Sequence, residues 1–162
     1  MISGLRIIWL TWLPGELNYM IYARINLSQT NYTQIDNAIQ ISDPSILIDK
    51  LDYIYITYCR YKQFTSVMPI FTSEYTDPNN DVIGYYTNNK LVAFSLIKRF
   101  DKENAECMQF AWDYTNPGLR LGINSLKHEC ALYKHMGFKY LYLGQDDDYK
   151  KQIAGFEILG TL

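Results

Sequence analysis

From Val82 onward the apolar positions change period several times. Val82 to Tyr86 and Leu91 to Arg99 read as strands, joined by Thr87-Asn88-Asn89-Lys90, where asparagine tolerates left-handed turn geometry. Leu91, Val92, Ala93, Phe94, Leu96 and Ile97 leave the second run without a polar face, which predicts a central strand. Asp101 to Asn104 is the next turn. Cys107 to Tyr114 alternates, with Met108, Phe110, Trp112 and Tyr114 on one side and Cys107, Gln109, Ala111 and Asp113 on the other. Thr115-Asn116-Pro117-Gly118 breaks the strand.

Gly118 to Gly144 then predicts a tight loop, one amphipathic helix and a short strand. Asn124 or Ser125 is the expected N-cap, since either side chain can bond a free first-turn N–H. Gly137 closes the helix after Met136 by taking a left-handed conformation. Ile123, Leu126, Cys130 and Tyr133 share one side at i, i+3, i+7 and i+10, and Lys134 and His135 suit the negative end of the helix dipole. Lys139 to Gly144 is nearly uncharged and predicts a strand buried on both faces.

Upstream, Leu5 to Leu13 and Asn18 to Leu27 are β-rich runs around the turn signal Leu13-Pro14-Gly15-Glu16, compatible with a hairpin or a strand-turn-helix. Ser28 to Asp43 is polar and has no clear period. Asp43-Pro44-Ser45 starts a helix, with Asp43 as N-cap and Pro44 at the first position. Ile46, Ile48, Leu51, Tyr55 and Tyr58 carry that helix to about Tyr61. Phe71 to Asp81, with Asp77-Pro78-Asn79-Asn80, is a loop by composition. Asp146 to Lys151 is a charged run, and Ile153 to Leu162 forms a last short element. With no repeat or linker, residues 1–162 read as a single domain.

At 48% apolar and 20% charged, the 162 residues describe a folded protein with a core. A net charge of −2 gives no global attraction to nucleic acid, so RNA contact needs a local basic patch. The small groups Lys98, Arg99 and Lys102, Arg120, Lys127 and Lys134, and Lys150 and Lys151 are the available cations. Cys59, Cys107 and Cys130 match no metal spacing and no disulfide pattern, which fits a reducing compartment. Arg6 followed by IIWLTWL faintly resembles a signal peptide. Pro14, Gly15 and Glu16 interrupt it and no cleavage site follows, so a cytoplasmic protein without membrane partners is expected. The apolar run is too short to cross a bilayer. His128 and His135 lie seven apart on the helix, too far to share a metal, and read as surface residues. Asp146-Asp147-Asp148 lacks the spaced ligands of a calcium loop. No metal site is expected. The 15 tyrosines suit pockets and interfaces, a homodimer included, and equally suit half-buried strand positions.

Three antiparallel strands, a glycine loop, a helix and a further strand is the order of the GNAT acyltransferase core. Leu121-Gly122, Glu129 seven positions later and Tyr142-Leu143-Gly144 resemble the GNAT-like C-terminal half of the aminoacyl-tRNA–protein transferases, the arginyl and leucyl enzymes. Leu13-Pro14-Gly15 is similar to a motif in that family's N-terminal part. The resemblance covers Val82 to Gly144. Arg120 stands at the family's serine position, and Trp12 where a cysteine-tyrosine pair precedes Leu-Pro-Gly. The acyl-CoA pattern Gln/Arg-x-x-Gly-x-Gly/Ala is met only at Gly122, with Leu119 and Asn124 at its other positions. The implied fold is α/β (α+β), a mostly antiparallel mixed sheet flanked by helices.

The resemblance implies N-acyl transfer to an amine, on a protein N-terminus or a small molecule, from aminoacyl-tRNA or acyl-CoA. A GNAT-shaped binding module without catalysis is the reading from another class. The donor's anionic part would meet Arg120, Leu121, Gly122, Ile123, Asn124 and Ser125 at the helix N-terminus; alternatively that loop only turns the chain. Asp113 would hold the acceptor amine or merely initiate a turn. Glu129, mid-helix, would take part in catalysis, or be solvated or ion-paired. Tyr142, before Tyr140 or Tyr149, would protonate the leaving group or simply pack.

Overall fold

The computed structural model describes residues 21–65, 67–115 and 120–161. The run Leu5 to Leu13, the Leu13-Pro14-Gly15-Glu16 turn, and Asn116 to Leu119 lie outside these residues. The expected antiparallel strands are β3 (Asn80–Thr87), β4 (Lys90–Arg99) and β5 (Asn104–Trp112). Asn88 and Asn89 adopt φ of 50° and 59° between β3 and β4, the left-handed pair that a two-residue hairpin requires. β5 leads into α3 (Leu121–His135), which returns the chain to β6 (Tyr140–Gln145), parallel to β5.

Among the described residues the sheet has seven strands in the order β2 (Ala38–Gln40), β3, β4, β5, β6, β1 (Ile21–Asn26), β7 (Phe156–Thr161). β1 therefore lies between the last two strands of the chain, antiparallel to both. On the opposite face from α3 lie α1 (Ile48–Tyr61) and the single turn α2 (Thr72–Tyr75). As predicted, Asp43 caps the turn that enters α1, accepting the Ser45 N–H at 3.1 Å. This mixed sheet with helices on both faces is the fold class expected.

Each face has its own core. Leu126, Cys130 and Tyr133 of α3 pack on Ile25, Ile83, Tyr85, Ala93, Ile97, Leu141 and Leu143. Leu51, Ile54, Tyr55 and Cys59 of α1, with Tyr75, pack on Val82, Phe94, Leu96 and Ala111.

Four expectations change. α3 begins three residues before Asn124, because Arg120 takes the left-handed conformation (φ 47°) and its carbonyl accepts the Asn124 N–H at 3.3 Å. Asn124 and Ser125 are thus inside the first turn, and Ser125 Oγ donates to the Gly122 carbonyl at 3.1 Å. The alternation along β5 is reset by a bulge at Met108, since Leu96 faces Gln109 and Ile97 faces Cys107. Cys107 consequently joins Phe110 and Trp112 on the α3 side, while Met108 and Ala111 turn toward α1. β6 is buried on one face only: Leu141 and Leu143 are covered, Tyr140 and Tyr142 half-covered, because α1 and α2 pack over β3, β4 and β5. His128 is buried, not on the surface. The segment through Tyr32 and Ile35 folds over α3, and His128 Nδ1 accepts the Ile35 N–H at 3.1 Å. Burial pushes its pKa below the ordinary imidazole value.

Candidate functional site

β5 and β6 pair over three rungs, Asn104 with Tyr140, Ala105 with Leu141 and Glu106 with Tyr142, and no further. Beyond them β5 stays with β4 as far as Trp112, and β6 stays with β1 as far as Gln145. The two strands therefore split apart toward the N-terminus of α3. Both carry a bulge at the split, Met108 in β5 and Leu143 in β6, where extra twist bends each strand away from the other. The Asp113 N–H bonds the Val92 carbonyl at 2.7 Å. By antiparallel alternation, Ala111 and Gln109 also turn their amides to β4, while Phe110 and Trp112 turn theirs toward the split.

Glu106 and Tyr142 occupy the vertex, on the sheet face away from α3. They belong to a row of polar side chains in register across five strands: Lys98, Glu106, Tyr142, Arg24 and Glu157. Arg24 Nη1 donates to the Tyr142 hydroxyl at 3.4 Å, and Arg24 Nε pairs with Glu157 at 2.7 Å. Its guanidinium also lies 3.8 Å above the Tyr140 ring. Burial pushes the Glu106 carboxyl above the usual carboxylate range, with Lys98 opposing. A half-buried carboxylate poised upward is suited to taking a proton.

Glu129 stands on the other side of the sheet and is only 3% exposed. It is buried from solvent, and the charge of Lys150 acts on it. Tyr85 Oη donates to Oε1 at 2.9 Å, Ser95 Oγ donates to the same oxygen, and Cys107 Sγ donates to Oε2 at 3.3 Å. Burial raises its pKa, and these three hydrogen bonds oppose the rise. A carboxyl with a raised folded-state pKa binds its proton more tightly when folded. Its stabilising contribution is complete below the unfolded value and is lost as pH rises through the folded one. Melting temperatures of the wild type and Glu129→Gln, measured from about pH 4 to 8, are therefore expected to diverge, the wild type losing ground as pH increases.

Asp113 lies just past β5 and is buried. Its Oδ1 accepts the Thr115 N–H at 3.2 Å, and Oδ2 is 3.8 Å from Lys90 Nζ, so it organises its own turn. In the first turn of α3, the amides of Leu121, Gly122 and Ile123 precede the first intrahelical bond. Arg120 and Asn124 are exposed beside them. Tyr61 stacks on Tyr114 with centroids 3.4 Å apart, and Trp112 and Tyr58 lie 4.0 and 6.1 Å from Tyr114. These rings line the mouth of the split. Burial pushes the Tyr58 phenol up to about 12, so it remains protonated and keeps its O–H as a hydrogen-bond donor. Lys150 Nζ donates to the Leu143 carbonyl at 3.2 Å and pairs with Asp147 at 2.7 Å.

Sequence reasoning missed Glu106, which lies one residue before the alternation begins. It also left the mouth unplaced, its one signal being the abundance of tyrosine. Tyr142 stands at the vertex on the face away from α3, Gly122 of the α3 first turn lies against Phe110 of β5 on the other face, and Asp113 follows the end of β5. Among the described residues no cluster is suited to a metal. A shallow cavity of about 420 Å³ lies at the other end of β3, lined by Gln40, Tyr75, Asn80 and Asp81. Its carboxylate is already engaged by Tyr133 Oη at 2.5 Å and Gln40 Nε2 at 2.9 Å.

No protein-family model and no curated protein matches the chain. Solved structures do. A protein of Novosphingobium aromaticivorans assigned to the GNAT acetyltransferases is 12% identical at a TM-score of 0.63, over 86% of this chain and 60% of its own. A GCN5-related N-acetyltransferase from Kribbella flavida is 10% identical at 0.62, over 90% and 56%. The C-terminal domain of a lysylphosphatidylglycerol synthetase homologue from Agrobacterium fabrum is 13% identical at 0.55, over 78% and 46%. The chain thus spans about half the length of these structures. Their likeness shows a GNAT fold.

Proposed function

We propose that the chain is an N-acyltransferase that receives its acyl carrier in the split between β5 and β6. The observation that supports this most is the last rung before the strands part, where Glu106 and Tyr142 are register partners on one face of the sheet. In this reading Glu106 takes a proton from the acceptor's ammonium group, and the amine nitrogen attacks the acyl carbonyl. The amides of Phe110 and Trp112 receive the oxygen that gains charge. As the new C–N bond forms, the bond from the acyl carbon to the carrier breaks. Tyr142 protonates the departing carrier and is reprotonated, through water, by the second proton that the nitrogen sheds as the amide forms. Its oxygen accepts from Arg24, which leaves its own O–H available. The α3 first turn and Arg120 hold the carrier's phosphates.

The resemblance favours an aminoacyl-tRNA donor in the cytoplasm, with acyl-CoA as the alternative; the acceptor is an amine on a protein N-terminus or a small molecule. A binding module is the second reading. It is favoured by Lys150, whose hold on the Leu143 carbonyl places the chain's own side chain beside the split.

Thermal-shift titration with acetyl-CoA, free coenzyme A and charged tRNA, at two salt concentrations, separates these readings, because a ligand of the folded state raises the melting point. A shift with coenzyme A selects the acyl-CoA donor. A salt-sensitive shift with charged tRNA alone selects aminoacyl transfer. No shift with any of them selects the binding module.

Gly122 supplies a test of the carrier site within the same assay. A Cβ there would meet nothing nearer than Phe110 Cε1 at 4.0 Å, so packing does not demand glycine. Gly122→Ala is expected to stabilise the fold by about 0.5–1 kcal/mol. Its methyl would also crowd the first-turn amides and weaken the ligand-induced shift.

A further inference from the structure

Of the fourteen large apolar side chains exposed among the described residues, eight fall between Ile46 and Phe71. Tyr53 and Ile56 look outward from α1, opposite the buried Ile54, Tyr55 and Cys59. After α1 the chain runs back alongside it: Phe64 packs edge-on against Tyr58, and the Tyr55 hydroxyl donates to the Met68 carbonyl at 2.7 Å. That course leaves Val67, Met68 and Phe71 turned to solvent, at 44%, 46% and 53% exposure. Scattered exposed hydrophobics need no explanation; a run of them along one helix and its return does.

The start of α1 carries Asp49, Lys50 and Asp52, and beyond it the charges have one sign. From Tyr53 to Ser73 the sequence contains Arg60 and Lys62 and no aspartate or glutamate, in a chain of net charge −2. Both cations are exposed, and Lys62 Nζ lies 5.9 Å from the rings of Tyr58 and Tyr114. Aromatic and aliphatic side chains bordered by cations, with no acid among them, complement the interface of a bilayer containing anionic lipid.

We propose that α1 from Tyr53 onward and the segment returning along it form a surface that binds an anionic lipid bilayer. Tyr61, stacked on Tyr114 at the mouth of the split, joins this surface to the functional site. The surface nevertheless stands on its own exposure and charge, whatever the chemistry at the split. The contact is peripheral, and no described helix is long and apolar enough to cross a membrane.

The test is flotation of the full chain with phosphatidylglycerol–phosphatidylcholine vesicles, compared with phosphatidylcholine vesicles alone. Two exposed double variants, Val67→Ser with Phe71→Ser and Arg60→Gln with Lys62→Gln, are run beside it, with melting curves to confirm folding. The wild type is expected to float with the anionic vesicles and much less with the neutral ones. Each double variant is expected to lower the partition roughly tenfold at an unchanged melting temperature. The proposal is overturned by absence of flotation with anionic vesicles, or by flotation that both variants leave unchanged. It is also overturned if light scattering shows a wild-type dimer that Val67→Ser with Phe71→Ser makes monomeric, because the surface then belongs to a second copy.

Discussion

Glu106→Gln is expected to lower the acyl-transfer rate by about 10²–10⁴-fold, the range that a positioned general base contributes. Stability should hold, or rise a little, because burial already disfavours the charged carboxylate and the amide keeps its shape without that cost. The pH profile gives a second readout. Glu106 must be ionised to accept a proton, so the wild-type rate falls as pH drops through its raised pKa. The residual rate of the variant lacks that limb. Glu129→Gln provides the contrast: its carboxyl lies on the α3 side of the sheet, engaged by Tyr85, Ser95 and Cys107, and most activity should survive. A Glu106→Gln enzyme with wild-type rate and pH profile would remove the vertex from the mechanism.

The largest structural effect is expected at Gly155. It sits at φ +78°, and a Cβ there would stand 2.3 Å from the Asn26 carbonyl oxygen. The same glycine's carbonyl accepts the Asn26 N–H at 2.8 Å, so the two backbones cannot move apart without losing a hydrogen bond. Backbone strain and the clash together should make Gly155→Ala cost about 3 kcal/mol or more. In a domain of this size that is a fall of roughly 6–12 °C in melting temperature. Gly160 is the control. Its φ is +102°, but a Cβ would meet nothing within 4 Å, so Gly160→Ala carries only the strain, about 1–2 kcal/mol. Equal losses at both positions would show that close approach to Asn26 is not what Gly155 provides.

The strand–turn–strand pattern from Val82 to Arg99 was legible because each signal there is local: β-branched and aromatic runs, then an asparagine pair for the turn. The end of α3 was legible for the same reason, with Gly137 at φ +92°. Its beginning was not. Good capping side chains at Asn124 and Ser125 pointed to a later start, whereas Arg120 adopted left-handed geometry and its carbonyl opened the helix. The bulge at Met108 was equally invisible, since an extra residue in one strand shows only against its partner. Tyr142 was singled out through its motif; Glu106 was not, because it stands out only as the partner of Tyr142 across a parallel rung. His128 was misplaced because the segment that covers it, from Thr30 to Asn37, has no period of its own.

The position of β1 affects how the molecule is made. A ribosome releases the chain from its N-terminal end, so β1 emerges before any other described strand. Its partners in the sheet are Tyr140–Gln145 on one side and Phe156–Thr161 on the other, which leave the exit tunnel long after it. β3, β4 and β5 can form their meander while β1 waits with both backbone edges bare. Contacts between such distant parts of a chain slow folding, and an unpaired strand is open to pairing with a neighbouring chain. Closure of the sheet, and with it support for the β6 wall of the split, therefore waits until β6 and β7 have both been made.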